Sequence, residues 1–143
     1  MLYAGKEGSA APLSWSHAGA VAIGYGDPGS ATGFDLGVFS FSDRSFDPSL
    51  VRRFNEHSGE FSPDGRFLAF DSDETGQREV YVQGFPDSVD RWRVSTEGGA
   101  NAFWRSDGRE LYFVRKGSEL VAVPVGAPTR IIHADRLRPA LYD

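Results

Sequence analysis

Cysteine is absent from the 143 residues, so neither a disulfide framework nor a thiolate metal site is available, and the redox compartment stays open because reducing and oxidising locations both tolerate such a chain. An excess of positive charge is missing as well. Fifteen Lys and Arg stand against 20 Asp and Glu, a net charge of −5, and neither sign gathers into a stripe. The long-range pull on nucleic acid or anionic lipid is therefore lacking, which argues against both as partners and against membrane insertion. No apolar run approaches membrane-spanning length, and residues 1–11 lack the basic start and apolar middle of a signal peptide, which predicts a soluble, untargeted chain. Room for long helices is also scarce, because 17 Gly and 8 Pro interrupt the chain at short intervals. What is plentiful is apolar and aromatic surface: 40% of residues are hydrophobic and 11 are Phe, enough for a sheet core.

A search for self-similarity finds a period just above forty residues. Trp15-Ser16-His17-Ala18-Gly19, Phe61-Ser62-Pro63-Asp64-Gly65 and Trp104-Arg105-Ser106-Asp107-Gly108 align, with their glycines 46 and 43 residues apart. After each glycine comes a short apolar run (20–25, 67–70, 111–114), a polar turn, and a second run rich in β-branched and aromatic residues (34–41, 79–85, 120–125). A fourth short element is predicted at 50–54, 91–94 and 129–133. Each unit reads as four short antiparallel strands, A to D. In the second and third copies Asp-Gly lies between two extended runs, where Gly takes positive φ and the Asp carboxylate bonds the backbone of its own turn. In the first copy Ala18 replaces Asp, and Gly19 carries the turn alone. Trp15, Phe61 and Trp104 stand at the same place in their units and are expected to fill the contact between successive sheets.

Four-stranded units of this length, repeated along a chain, are the pattern of β-propeller blades. The run Phe61 to Phe70, followed by Ser72-Asp73-Glu74-Thr75-Gly76 and Glu79-Val80-Tyr81-Val82, resembles a TolB-like, WD-type propeller repeat. Trp92 to Ser95, Gly98-Gly99, Trp104 and Ser106 to Phe113 resemble more narrowly the propellers attached to bacterial serine/threonine kinases. The similarity covers roughly residues 12–143 and departs from the pattern at His17-Ala18, where Pro-Asp is usual. It implies an all-β fold of three four-stranded antiparallel blades within a single domain spanning 1–143. The blades fall at about 12–54, 58–95 and 100–133, with strand stubs at 1–4 and 141–143. TolB-like propellers have six blades, so the resemblance also implies that two copies would complete a ring as a homodimer. A periplasmic or extracytoplasmic location follows only if the parent is TolB-like or a receptor kinase.

Several motifs imitate chemistry that their surroundings do not support, weak calcium binding near Asp71 and Asp73 being left open. Gly24-Tyr25-Gly26-Asp27-Pro28-Gly29 has the spacing of a dinucleotide loop, but residues 30–33 lead into a strand rather than a helix, and Asp27 would repel a pyrophosphate. Asp71, Asp73 and Gly76 match the opening of a calcium loop, yet the closing bidentate Glu is replaced by Val82. His17, His57 and His133 have no metal-ligand spacing. A nucleophile elbow, a thiol and the kinase signatures are all lacking.

These features predict a non-catalytic binding or scaffold module for a protein or peptide, the sensor part of a larger bacterial protein in one version, with no cofactor, no metal and no catalytic residue. The alternative is the propeller part of an enzyme, a prolyl-oligopeptidase-like peptidase or a lyase or glycosidase, whose catalytic residues lie elsewhere. The binding face is expected where D–A and B–C connections of neighbouring blades meet. Its candidate residues are Asn55, Glu56, His57 (in the loop just before strand A of blade two), Asp73, Glu74, Glu97 and Asn101.

Overall fold

A computed structural model describes residues 9–26, 33–48, 54–87, 90–115, 119–126, 130–131 and 138–139. The described residues form strands joined by turns, with no helix among them. The first sheet contains β1 (Ser9–Ser16), β2 (Ala20–Gly26), β3 (Asp35–Ser40) and β4 (Ser45–Asp47) in sequence order. The second contains β5 (Glu56–Phe61), β6 (Phe67–Ser72), β7 (Glu79–Gly84) and β8 (Arg91–Arg93). The third contains β9 (Ala100–Trp104), β10 (Glu110–Arg115), β11 (Glu119–Gly126) and β12 (Arg130–Ile131). All of these pairings are antiparallel. The fold is therefore all-β, three four-stranded blades of a partial propeller.

The outer strands depart from the expected positions. In the first blade the fourth strand is Ser45–Asp47, reached by a tight turn through Arg44 at φ 53°, whereas the expectation was 50–54. Of that stretch only Phe54 lies within the described residues, as a bend. In the third blade the outer lane is shared: β12 pairs with Val125 and Gly126 of β11, and β13 (Arg138–Pro139) pairs with Val121 and Ala122 farther along the same strand. The proposed stubs at 1–4 and 141–143 lie outside the described residues.

The middle blade is buried on both faces. Leu68, Phe70 and Tyr81 alternate to one side and join Phe61 against Ala20, Ala22, Leu36 and Val38 of the first blade. Ala69, Val80, Val82 and Val94 point to the other side and meet Ala102, Trp104, Leu111, Phe113, Val121 and Val123 of the third. Period-two alternation in a strand with two apolar neighbours thus gives the near-continuous hydrophobic runs seen in the sequence.

The A–B hairpins explain why one of the three aligned aromatics behaves differently. In blades two and three, the residue four before the hairpin glycine lies opposite the residue three after it: Phe61 opposite Leu68, Trp104 opposite Leu111. Trp15 lies opposite Val21, only two past Gly19, so the first hairpin is one residue shorter. Because side chains alternate at every residue, that single deletion turns Trp15 to the opposite face of its sheet. Phe61 and Trp104 are buried, as expected, but Trp15 is 61% exposed, its ring 5.0 Å from that of Phe41. The expectation that all three fill blade-to-blade contacts is corrected for Trp15.

The turn itself follows its sequence in blade two. Gly65 has φ +72°, its N–H donates to the Ser62 carbonyl at 2.8 Å, and the Asp64 carboxylate accepts from the Ser62 hydroxyl at 2.6 Å and the Arg66 N–H at 3.1 Å. Any larger residue at Gly65 would also place its Cβ 2.8 Å from Ser16 Oγ, so the hairpin fixes the first blade's approach too.

These differences separate the two tryptophans in stability. Trp104→Ala removes a buried ring and the Nε1–H bond to the Glu60 carbonyl, and should cost about 3–5 kcal/mol. Trp15→Ala should cost about 1 kcal/mol or less in dilute solution. Urea unfolding of the two variants measures the contrast, and equal losses would contradict the register described for the first hairpin.

Candidate functional site

The described parts of the B–C connections (33–34, 73–78) and of the connections between blades (54–55, 94–99) lie at the same end of the sheets, where the Glu56 N–H donates to the Phe34 carbonyl and the Asp73 N–H to the Asn55 carbonyl. Two buried carboxylates organise this end. Asp71, fully buried near the end of β6, accepts from Arg78 Nε at 2.9 Å and Nη2 at 2.5 Å through Oδ1, and from the Asn101 backbone N–H at 3.0 Å through Oδ2. One carboxylate therefore ties a B–C connection of blade two to the inner strand of blade three. Glu79, buried at the start of β7, accepts from the Ser95 hydroxyl, from Gln77 Nε2 at 2.6 Å and from the Gly98 N–H at 3.1 Å. Bonds to an ionised acceptor are the strong kind, and several per carboxylate offset the cost of burial.

The inner strands carry a matched irregularity. Ser58, three residues before Phe61, and Asn101, three before Trp104, both adopt left-handed backbone at φ 59° and 55°, where β5 and β9 bulge. Non-glycine residues rarely sit there, and bulges of this kind re-aim side chains. Ser58 Oγ donates to Asn101 Oδ1 at 3.0 Å, so the two bulges meet across the blade boundary.

The seven candidate residues separate into groups. Asn55 and Asp73 form a clamp: the Asn55 N–H and Nδ2 donate to the Asp73 carboxylate at 2.9 and 2.6 Å, and Asn55 Oδ1 accepts from the Phe34 N–H at 3.3 Å. Burial pushes Asp73 up, but the Asn55 bonds and the nearby His57 outweigh it and leave the carboxyl below its ordinary range. His57 is not in a loop before the strand, as expected, but within β5, opposite Asp71, half-buried with its ring 5.0 Å from the exposed Phe34 ring. The hydrogen-bonded ladder continues two residues beyond the expected start of blade two because Glu56 pairs with Ser72. Glu56 itself is 1% exposed, so it belongs to the interior rather than to a binding face. Glu74 reaches outward to Arg91 at 2.9 Å, and that guanidinium lies over the Phe70 and Tyr81 rings at 5.1 and 4.4 Å. Burial first, then Glu74, push the Tyr81 phenol up to about 12. Glu97 is exposed and pairs with Arg115 at 3.3 Å.

Asn55, His57, Asp73 and Asn101 are therefore gathered at one end, with Arg78 and Phe34 added, whereas Glu56 and Glu74 serve the interior and the outer side. Sequence reasoning missed Arg78, Ser58 and Phe34. Asp71 was visible only as part of a calcium-loop-like motif; its carboxylate accepts from Arg78 and Asn101, and that of Asp73 from Asn55. Among the described residues, no three His, Asp or Glu side chains are grouped to hold a metal ion.

An open cleft of about 510 Å³ lies beside the Asp71–Arg78 pair, lined by Gln77, Arg78, Glu97, Gly98, Gly99, Ala100, Asn101 and Val114. Glycine is required at its floor: a Cβ at Gly99 would come within 2.7 Å of Ser95 Oγ and 3.0 Å of the Phe113 ring.

Burial and the Arg78 guanidinium hold the His57 imidazole below its ordinary value. With the folded pKa below the unfolded one, the unfolded chain binds more protons in between, so stability falls as pH drops through about 6.5 toward the folded value. His57→Gln should flatten that part of the stability–pH curve, and the His57 ring resonance should titrate below the ordinary histidine value of about 6.5. A His57 midpoint at or above about 6.5 would contradict the burial described.

No protein-family model matches the sequence, and no curated protein matches it. Solved structures do match. A TolB from Agrobacterium tumefaciens aligns with a TM-score of 0.68 at 14% identity over 92% of this chain and 48% of that one. TolB from Acinetobacter baumannii aligns at 0.64 with 17% identity over 96% and 33%, and the β-propeller domain of the trilobed protease from Pyrococcus furiosus at 0.67 with 14% identity over 95% and 44%. The chain spans half or less of the length of each. At these identities the likeness shows the fold alone, and with the three stacked sheets it identifies the architecture as three blades of a β-propeller.

Proposed function

We propose that the chain is a non-catalytic recognition module that binds a protein or peptide at the end of the blades carrying Asn55, His57, Asp73 and Asn101. The observation that carries this is the pair of left-handed bulges at Ser58 and Asn101, joined across the blade boundary and held by the buried Asp71 carboxylate. Backbone strain concentrates at functional positions, and a polar surface fixed from beneath is pre-organised for a partner. The similarity to TolB propellers supports the same reading. The narrower resemblance to kinase-attached propellers makes a sensor role within a larger bacterial protein its more specific version. The trilobed protease's propeller favours a second reading, the propeller part of an enzyme with its catalytic residues elsewhere. Under either reading this chain alone should not hydrolyse peptides or esters, since its sequence carries no Gly-x-Ser-x-Gly elbow and no Cys.

The immobilised chain should retain a partner that a His57→Ala/Asn101→Gly variant loses, both variants being checked for native unfolding behaviour. Retention unchanged by the double variant would overturn the placement of the face. Hydrolysis by the purified chain that a serine-directed inhibitor abolishes would overturn the non-catalytic reading.

The ends of the blade stack support a proposal about assembly. On the first blade, Trp15, Val21, Ile23, Phe39 and Phe41 lie on the side away from blade two. On the third, Phe103 (46% exposed), Tyr112 and Val114 lie on the side away from it. Propellers close with roughly four to eight blades, so three cannot form a ring. A second copy, turned end to end, would cover both faces and make six blades in a homodimer. Light scattering should give twice the 15.6 kDa chain mass, and Trp15→Lys should shift it to monomer. A monomer at micromolar concentration that binds no apolar dye would sink the dimer.

A further inference from the structure

The cleft beside the Asp71–Arg78 pair is positioned for more than structure. Two N–H groups of Arg78 are spent on Asp71 Oδ1, and the rest of the planar guanidinium, with the side chain 44% exposed, borders the cleft. Asn101 lines the cleft from the other blade; its Oδ1 accepts from Ser58 Oγ, which leaves its Nδ2 as the side chain's donor. The floor is Gly98-Gly99, anchored through the Gly98 N–H to Glu79 and through the Gly99 N–H to the Arg78 carbonyl at 2.9 Å. Asp71 thus holds the Arg78 guanidinium and the Asn101 backbone side by side, and Glu79 holds Gly98, along one cleft. A planar fork of donors with a second donor beside it matches a carboxylate better than a spherical or strongly hydrated anion.

We infer that this cleft binds a carboxylate of an extended peptide, with Arg78 and Asn101 Nδ2 as its donors and Glu97 at the rim as an acceptor for a peptide N–H. The inference rests on the recognition face proposed above and names its ligand chemistry. A carboxylate is favoured over a dianion because Glu97 stands at the rim and the chain carries a net charge of −5. The volume is in the range of small-ligand sites, about 300–1,000 Å³. The carboxylate comes from a side chain or from a C-terminus; the chemistry is the same and experiment separates the two.

The test is a titration of the ¹⁵N-labelled chain, followed by amide resonances, with four probes: acetyl-Ala-Asp-Ala-amide, acetyl-Ala-Asn-Ala-amide, acetyl-Ala-Ala-Ala as the free acid, and inorganic phosphate. Saturable shifts at Gly98, Gly99 and Asn101 are expected with the Asp peptide or the free acid, and roughly tenfold weaker binding with the Asn peptide, the size of one lost charged hydrogen bond. Which of the two acids binds more tightly names the source. Asn101→Gly, which keeps the left-handed backbone while removing the amide, should weaken the acid peptide severalfold. Arg78→Lys, which keeps a cation for Asp71 but loses the fork, should weaken it further. Equal response to the Asp and Asn peptides, tighter binding of phosphate than of either acid, or no response would overturn the carboxylate site. Shifts confined to Asn55, His57 and Asp73 would also overturn it while leaving the recognition face standing; a partner retained equally by the double variant above would instead remove the face.

Discussion

Everything in this molecule depends on a sheet that is apolar on both sides. The middle blade places Phe70 and Tyr81 toward one neighbour and Val80 and Val82 toward the other, so it cannot exist as an isolated unit in water. Each fully buried side chain of this kind contributes on the order of 1.5–3 kcal/mol, and the contribution is made only when a second sheet arrives. Stacking, rather than the hydrogen-bonded ladder within a blade, is therefore what decides the architecture. The same requirement explains the ends of the stack, where Trp15 and Phe103 remain exposed because no further sheet follows among the described residues.

Polar groups at the blade boundaries are arranged around that stacking. Asp71 and Glu79 are buried in or beside contacts that hydrophobic residues dominate, and both are saturated with donors contributed by connecting segments. Such groups add little net stability compared with apolar residues of similar volume, because desolvation consumes most of the electrostatic gain. Their effect is positional. By holding Arg78, Gly98 and Asn101, they convert connections that would otherwise move freely into a fixed polar surface at one end of the blades, and the cleft and the two bulges are consequences of that arrangement.

The legible part of this architecture was carried by short-range signals. Asp64-Gly65 and Asp107-Gly108 announce hairpins because their turn chemistry is local, and both glycines have the positive φ that such turns need. Two buried faces make β6 and β7 largely apolar, whereas β10 and β11 alternate between a buried side and a partly exposed one. The fourth strand of blade one was misplaced, since Ser45–Asp47 is three residues long and a strand that short has no periodicity to detect. Trp15 was misassigned for a different reason: aligning it by its distance from Gly19 ignores the length of the turn, and one residue fewer reverses the face. In the candidate site, Asn55, His57, Asp73 and Asn101 were expected from the D–A and B–C connections of neighbouring blades, and the structure places them at one end of the sheets. Arg78 was not, because nothing local distinguishes it from any other polar residue in a turn.

The sequence by itself determined the repeat, the strand-and-turn order and the all-β class, because these follow from turn chemistry and side-chain alternation within a few tens of residues. Tertiary structure alone decided which face each aromatic occupies, that Glu56 is interior, and that Asp71 would join Arg78 to the backbone of Asn101, 30 residues away. Burial and pairing across a blade boundary depend on what another sheet places opposite, and no window along one strand contains that information.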